Sequence, residues 1–269
     1  MIDISNVKST TNYSQFKDVL GNREVLPNKL LRLQQSIMEN DKLAANPIIV
    51  TPELAVIDGQ HRLQAAKNLN KKIYYLIDQK ACDEDIILYN TARSNWSLDE
   101  FLFYYQQRKK DAYIFIWELK LFANKYHKHF TALTSALKII CYPDQYEFTK
   151  RLKKGTLKLS PLHENARKFV HMTFPLCKEV SDNIQKLKRS KCETLFFKSC
   201  YIEALSYCFK YMTDGQYKEL WKCILDRYDR FTDISSLDSA MSLLSQVYNH
   251  QKTTNKIDFD KMRPHLAKK

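Results

Sequence analysis

One stretch decides the fold of this chain: Val56-Ile57-Asp58-Gly59-Gln60-His61-Arg62-Leu63-Gln64-Ala65-Ala66. It places one of only four glycines in 269 residues between an apolar extended segment and a helix-forming segment. A helix that begins at this glycine leaves its first backbone N–H groups without partners, and His61 and Arg62 add side-chain donors. The stretch therefore predicts a turn that binds an anion such as phosphate. The alternative is a plain strand-turn-helix join in which Gly59 serves only the turn.

The residues on either side of this turn alternate between strand and helix patterns. A helical pattern opens at Pro27 and ends at Asn40-Asp41. Runs rich in β-branched and aromatic residues predict strands, and a run of helix formers follows the turn. The strands are expected at 47–51, 55–57 and 72–78, and the second helix at 63–70. Residues 1–95 are therefore expected to form a small α+β domain with a mixed sheet.

The chain changes character after Ala81, because strand patterns nearly vanish and amphipathic helices follow one another. Ser97-Leu98-Asp99-Glu100 is a capping box, and Thr213 precedes another helix start. Helices are expected at 97–109, 111–128, 131–141, 144–154, 161–172, 176–190, 192–212, 215–228 and 235–249. Residues 96–250 are therefore expected to form a larger all-helical domain, followed by a loose tail over 251–269.

The composition is that of a soluble globular protein. No run of residues approaches the 18 apolar residues of a membrane span, and the N-terminal residues lack the pattern of a signal peptide. The seven cysteines are an odd number, scattered through apolar segments and without a CxxC pair. Such cysteines are typical of reduced thiols, so we expect a cytoplasmic protein with no membrane partner.

The net charge of +13 is distributed unevenly along the chain. Residues 1–100 carry 12 Lys and Arg against 13 Asp and Glu, whereas residues 101–269 carry 31 against 17. A basic excess of this size predicts DNA or another polyanion as the partner of the second part. The alternative is a solvated lysine-rich helical surface, on which tracts such as Lys150-Arg151-Leu152-Lys153-Lys154 also occur.

The order of the elements around the Gly59 turn resembles the N-terminal domain of the ParB/sulfiredoxin superfamily. In that family a strand leads into a G-x-x-R turn, here Gly59 to Arg62, and a helix rich in small residues and a further strand follow. The resemblance covers about residues 15–100 of the sequence. The spelling Asp-Gly-Gln-His-Arg is closer to the phage, plasmid and other mobile-element relatives of the superfamily.

This resemblance implies a nucleoside triphosphate, CTP or ATP, as the ligand, with Mg²⁺ as a candidate cofactor. Arginine side chains grip phosphate oxygens as a fork. By resemblance, the residues that meet the phosphates are Gly59, Gln60, His61 and Arg62, and those that close around the nucleotide are Asn22, Arg23, Asn90 and Arg93. Tyr89 stands where ParB proteins usually carry a metal-holding acid, which leaves hydrolysis open. No cysteine stands in the turn, so the reduction of sulfinic acid is not expected.

Two residues of the turn are candidates for catalysis. Asp58 has the carboxylate of a catalytic or metal-binding residue, and His61 has the ring of a general base. The alternatives are structural. Asp58 would then cap the following helix, and His61 would form a hydrogen bond that makes the turn rigid.

Residues 111–141 form a candidate helix-turn-helix, a motif that ParB relatives often carry after the nucleotide domain. Its second helix would lie in the major groove of DNA. The residues suited to contact DNA are Thr131, Thr134, Ser135 and Lys138. Plain packing of two amphipathic helices gives the same pattern and is the alternative.

Together these patterns predict a ParB-like protein that binds a nucleoside triphosphate in its first domain and DNA through its second. A homodimer is a candidate oligomeric state. One alternative is an enzyme of mobile-element or defence type, a nuclease or a nucleotide hydrolase that uses Asp58 and His61. The other is a non-catalytic partner-binding protein with a vestigial pocket.

Overall fold

A computed structural model describes residues 6–20, 22, 25–82, 85–86, 96–128, 130–142, 145–160, 162–188 and 194–262. The chain divides into two compact units, residues 1–110 and residues 111–269. The division therefore lies after Lys110 and not after residue 95, because the helix Leu98–Gln107 belongs to the first unit. Arg108, which follows that helix, donates a hydrogen bond to the carbonyl of Leu20.

The first unit is a mixed α+β fold, as the sequence predicts. Its four strands are β1 (Lys8–Thr10), β2 (Ile48–Val50), β3 (Val56–Asp58) and β4 (Ile73–Ile77). They lie side by side in the order β1-β4-β2-β3. β2 and β4 are parallel, and the two outer pairs are antiparallel. β1 was not predicted, since it is only three residues long and pairs with one strand at the edge of the sheet.

The described part of this unit also contains the helices α1 (Pro27–Glu39), α2 (Gln60–Asn68) and α3 (Leu98–Gln107). β2 is buried along its whole length, which explains its unbroken run of β-branched residues. Ile37 on α1 and Ala65 and Ala66 on α2 belong to the same core cluster as β2. The small side chains of Ala65 and Ala66 let α2 lie close to its neighbours, and this fixes the position of the Gly59 turn beside β2.

The second unit is helical in its described part. Its helices are α4 (Asp111–Ala123), α5 (Phe130–Cys141), α6 (Gln145–Lys154), α7 (Leu162–Lys188), α8 (Ser199–Tyr211), α9 (Asp214–Asp226) and α10 (Leu237–Tyr248). α5 occupies the centre, where it contacts α4, α6, α7 and α8. Nine of its 12 residues are buried. None of the helices in the described ranges combines the length and the apolar composition that a membrane span needs.

The separation of 161–172 and 176–190 into two helices was wrong. α7 runs unbroken for 27 residues with Pro175 inside it. A proline in a helix removes one backbone hydrogen bond and disturbs the preceding turn. Phe174, Cys177 and Val180 are buried on either side of Pro175, so tertiary packing holds the helix together.

The predicted loose tail over 251–269 was also wrong for its first part. The side-chain amide of Asn249 donates to the carbonyl of Ile257 at 2.8 Å and accepts from its N–H at 3.0 Å. This pair of hydrogen bonds turns the chain back onto α10, and Phe259 and Met262 are then buried. Residues 263–269 lie outside the described residues.

Candidate functional site

The turn between β3 and α2 has the conformation that its glycine predicts. Gly59 adopts a left-handed backbone with φ of 102° and ψ of 22°, and α2 begins at the next residue. The carbonyl of Gly59 accepts from the N–H of Leu63 at 2.9 Å, which is the first hydrogen bond of the helix. Gly59 has no side chain with which to cap α2, and the start of a helix offers backbone N–H donors to an anion.

Asp58 and Arg62 form an ion pair across this turn. Nη2 of Arg62 donates to Oδ2 of Asp58 at 3.0 Å and to the carbonyl of Pro47 at 3.4 Å. The side chain of Asp58 is only 14% exposed and that of Arg62 only 20%. Nε of Arg62 is buried and has no hydrogen-bond partner among the described residues. The interpretation of Asp58 as the cap of α2 is therefore wrong, since the capping position is Gly59 and the carboxylate binds Arg62.

His61 connects the turn to the chain that precedes α1. Its Nε2 accepts a hydrogen bond from the backbone N–H of Leu26 at 3.3 Å. An accepting nitrogen carries no proton, so this contact needs a neutral ring with its proton on Nδ1. The contact is of the kind expected if His61 makes the turn rigid. It also uses the lone pair that a general base would need at Nε2.

A cavity of about 490 Å³ opens at this turn within the first unit. It gathers the described members of the predicted nucleotide site, which are Asn22, Gly59, Gln60, His61 and Arg62, together with the catalytic candidate Asp58. Asn22 is fixed there because its Nδ2 donates to the carbonyl of Val56 at 2.8 Å. The other predicted members, Arg23, Asn90 and Arg93, lie outside the described residues.

The remaining wall of the cavity was missed by sequence reasoning. It comes from α1 and from the loop that leads to β2, and its polar residues are Ser36, Asn40, Lys42 and Asn46. Ser36 and Asn40 line the cavity together with the apolar Leu33 and Ile37, at helical spacing. The polar Ser36 and Asn40 at this spacing were the sequence feature that could have predicted this wall of the cavity.

The described residues hold no group of three or more His, Cys, Asp and Glu side chains that would form a metal site. Among the described residues that line the cavity, the charged neighbour of Asp58 is Arg62 and not a second carboxylate. A metal ion at Asp58 would have to compete with this guanidinium for the carboxylate oxygen.

The second helix of the candidate helix-turn-helix is mostly buried. That helix is α5, and Thr134 and Ser135 are only 4% and 5% exposed. Oγ of Ser135 donates to a carboxylate oxygen of Glu203 on α8 at 3.1 Å, and Oγ1 of Thr134 donates to the carbonyl of Thr131. The assignment of Thr134 and Ser135 to DNA contact is therefore wrong, since helix packing covers both. Thr131 is exposed and Lys138 half-buried.

We compared the chain with models of known protein families, with curated proteins and with solved structures, and none of the three comparisons gave a match.

Proposed function

We propose that the first unit binds a nucleotide, and that the phosphate groups lie at the start of α2. The observation that carries this proposal is the cavity of about 490 Å³ that opens onto the left-handed Gly59 turn. Its volume falls within the range of about 300–1,000 Å³ that is common for small-molecule sites. The N-terminus of a helix offers partial positive charge and N–H donors to an anion, which is the chemistry that phosphate needs.

The identity of the nucleotide is proposed from the resemblance to ParB proteins. The order of β3, the Gly59 turn, α2 and β4 is the order which that resemblance implies. On this basis the ligand is a nucleoside triphosphate, CTP or ATP, with Mg²⁺ as a candidate companion ion. The amide and hydroxyl groups of Asn22, Ser36, Asn40 and Asn46 provide hydrogen-bond partners for the nucleoside.

Calorimetric titration of the full chain with CTP, ATP and GTP, with and without Mg²⁺, tests this proposal. At least one nucleotide should bind, and Arg62→Ala should weaken its binding by at least about tenfold, because the variant removes the guanidinium that neutralises the Asp58 carboxylate in the cavity. Arg32→Ala, on the exposed side of α1, is the control and should bind like the wild type.

Hydrogen exchange of β2 and β4 shows whether the Arg62 variant keeps its fold. If no nucleotide binds the wild type, the proposal is wrong. It is also wrong if a folded Arg62→Ala binds as tightly as the wild type.

We also propose that the second unit binds DNA, through a surface other than the candidate helix-turn-helix. The segment 150–158 carries five exposed basic residues and no acid: Lys150, Arg151, Lys153, Lys154 and Lys158. Glu147 pairs with the first two of them. The last three extend from the final turn of α6 past Gly155 into the following loop, and such a surface suits a phosphate backbone.

Fluorescence anisotropy with a labelled 25-base-pair duplex tests this second proposal. Wild-type affinity should fall steeply with salt. Replacement of Lys153, Lys154 and Lys158 by Gln should make the negative slope of log K against log salt less steep by about 2–3. The control replaces Lys218, Lys222 and Lys256 by Gln, which makes the same charge change on other exposed sites. An equal effect of both triple variants would show that only net charge matters and would remove the assignment to 150–158.

A further inference from the structure

The charges that line the cavity do not contribute equally to its field. Among the described residues that line it, the charged ones are Lys42, Asp58 and Arg62. The ion pair between Arg62 and Asp58 cancels one positive charge against one negative charge. The net positive charge of the described cavity wall is therefore carried by Lys42.

The Nη2 nitrogen of Arg62 is already bound within the protein. It binds both Asp58 and Pro47, and a Cβ placed on Gly59 would lie only 2.8 Å from that nitrogen. The guanidinium thus lies against the glycine of the turn. If Nη2 moved to a ligand, the ion pair with the largely buried Asp58 carboxylate would break, at a cost in free energy. Arg62 is in this sense a positioning residue that holds the turn.

Lys42 differs from Arg62, because hydrogen bonds fix its backbone while its side chain is exposed. Its carbonyl accepts from the N–H of Asn46 at 3.1 Å and from the side-chain amide of Asn46 at 3.2 Å. The neighbouring Asp41 is bound to Lys71 at 2.8 Å and to the N–H of Leu43 at 3.1 Å. These bonds also hold the pKa of Asp41 below its usual value. Asp41 is therefore engaged elsewhere, and Lys42 makes no ion pair with a described residue.

We propose that Lys42 is a ligand-binding residue whose ammonium group pairs with an anionic group of the ligand held at the start of α2. The inference rests on the proposed nucleotide site and assigns its cation. It differs from the expectation that Arg62 grips the phosphates, because the Arg62 guanidinium already has a carboxylate partner. A flexible ammonium on a fixed loop can follow phosphate oxygens within the cavity.

Titration of wild type and Lys42→Gln with ATP, CTP and inorganic pyrophosphate tests this inference. In 50 mM NaCl the variant should bind the tightest of these probes about tenfold more weakly, the size expected for one charge-assisted hydrogen bond. In 500 mM NaCl the difference should shrink, because salt screens an exposed charge. Lys42→Arg should retain most of the affinity. Lys72→Gln, another exposed lysine of the first unit, should match the wild type.

The outcomes separate this inference from the proposal on which it rests. If the wild type binds none of the three probes, the nucleotide site itself is wrong and Lys42 has no ligand. If the wild type binds and Lys42→Gln binds equally well at both salt concentrations, the site stands and the role of Lys42 is refuted. An equal loss in Lys72→Gln would also refute it, since a general charge effect would then explain the result.

Discussion

Replacement of Gly59 by alanine should destabilise the first unit and disturb the candidate site at the same time. The backbone φ of 102° is a conformation that costs an L-residue roughly 1–2 kcal/mol. The new Cβ would also lie 2.5 Å from Cγ2 of Ile48, which is fully buried in β2 and has little room to move. Overpacking of this kind costs about 1–3 kcal/mol. Alanine also reduces the conformational entropy of the unfolded chain, which stabilises the fold by about 0.4–1 kcal/mol.

These effects together should lower the free energy of unfolding by about 3 kcal/mol. This is a large part of the roughly 5–15 kcal/mol by which a native domain is stable. The same Cβ would meet Nη2 of Arg62, so the ion pair with Asp58 must shift, and nucleotide binding should weaken. Hydrogen exchange measured at increasing urea concentration, followed separately for β2, β4 and α8, localises the effect to one unit.

Gly215 provides a matched control for this substitution. It lies in the first turn of α9, and a Cβ placed there has no neighbour within 4 Å. Gly215→Ala should leave stability unchanged or raise it by up to about 1 kcal/mol. The reasoning is refuted if Gly59→Ala unfolds at the wild-type urea concentration, or if it weakens α8 as much as β2.

Two further substitutions test the charges described above. Asp58→Asn should tighten the binding of pyrophosphate about fivefold, because it removes a negative charge from the cavity and releases Nη2 of Arg62. Calorimetry measures this change. Weaker binding would instead favour a ligand-binding or metal-binding role for the carboxylate. Burial raises the pKa of Glu203 above its ordinary value of 4.5, against the hydrogen bond from Ser135, which lowers it. The folded chain therefore binds more protons at Glu203 than the unfolded chain, so this carboxyl group costs stability as the pH rises above about 4.5. Glu203→Gln should accordingly raise the thermal midpoint at pH 7 and leave it nearly unchanged at pH 4, and an equal shift at both values would contradict the burial of this group.

The sequence was sufficient to predict those elements that local patterns define. The capping box predicted at Ser97 is present, and Thr213, predicted only as a helix start, forms a second capping box. Gly59 predicted the turn, and its left-handed backbone is one that few other residues adopt. β1 and the continuity of α7 were missed, since a three-residue edge strand and a helix across Pro175 depend on partners far away in the sequence.

The candidate site shows the same limit. The turn residues from Asp58 to Arg62 were predicted because they adjoin the glycine in sequence. The pairing of Asp58 with Arg62 was not, since a carboxylate before a helix is equally suited to cap it. Lys42 and Asn46 belong to a loop that only the folding of α1 beside α2 brings to the cavity. Likewise, the burial of α5 follows from four helices around it, which its own amphipathic pattern cannot reveal.

The hydrogen bonds between Asn249 and Ile257 determine where the second unit can be cut. A recombinant fragment that stops at residue 250, at the end of the last predicted helix, would lack Phe259 and Met262. Both side chains fill the core beside α8 and α10, and their removal leaves a cavity that costs several kcal/mol, on the order of a large-to-small core substitution at each position. A fragment designed to carry the helical unit alone should therefore extend at least to Met262.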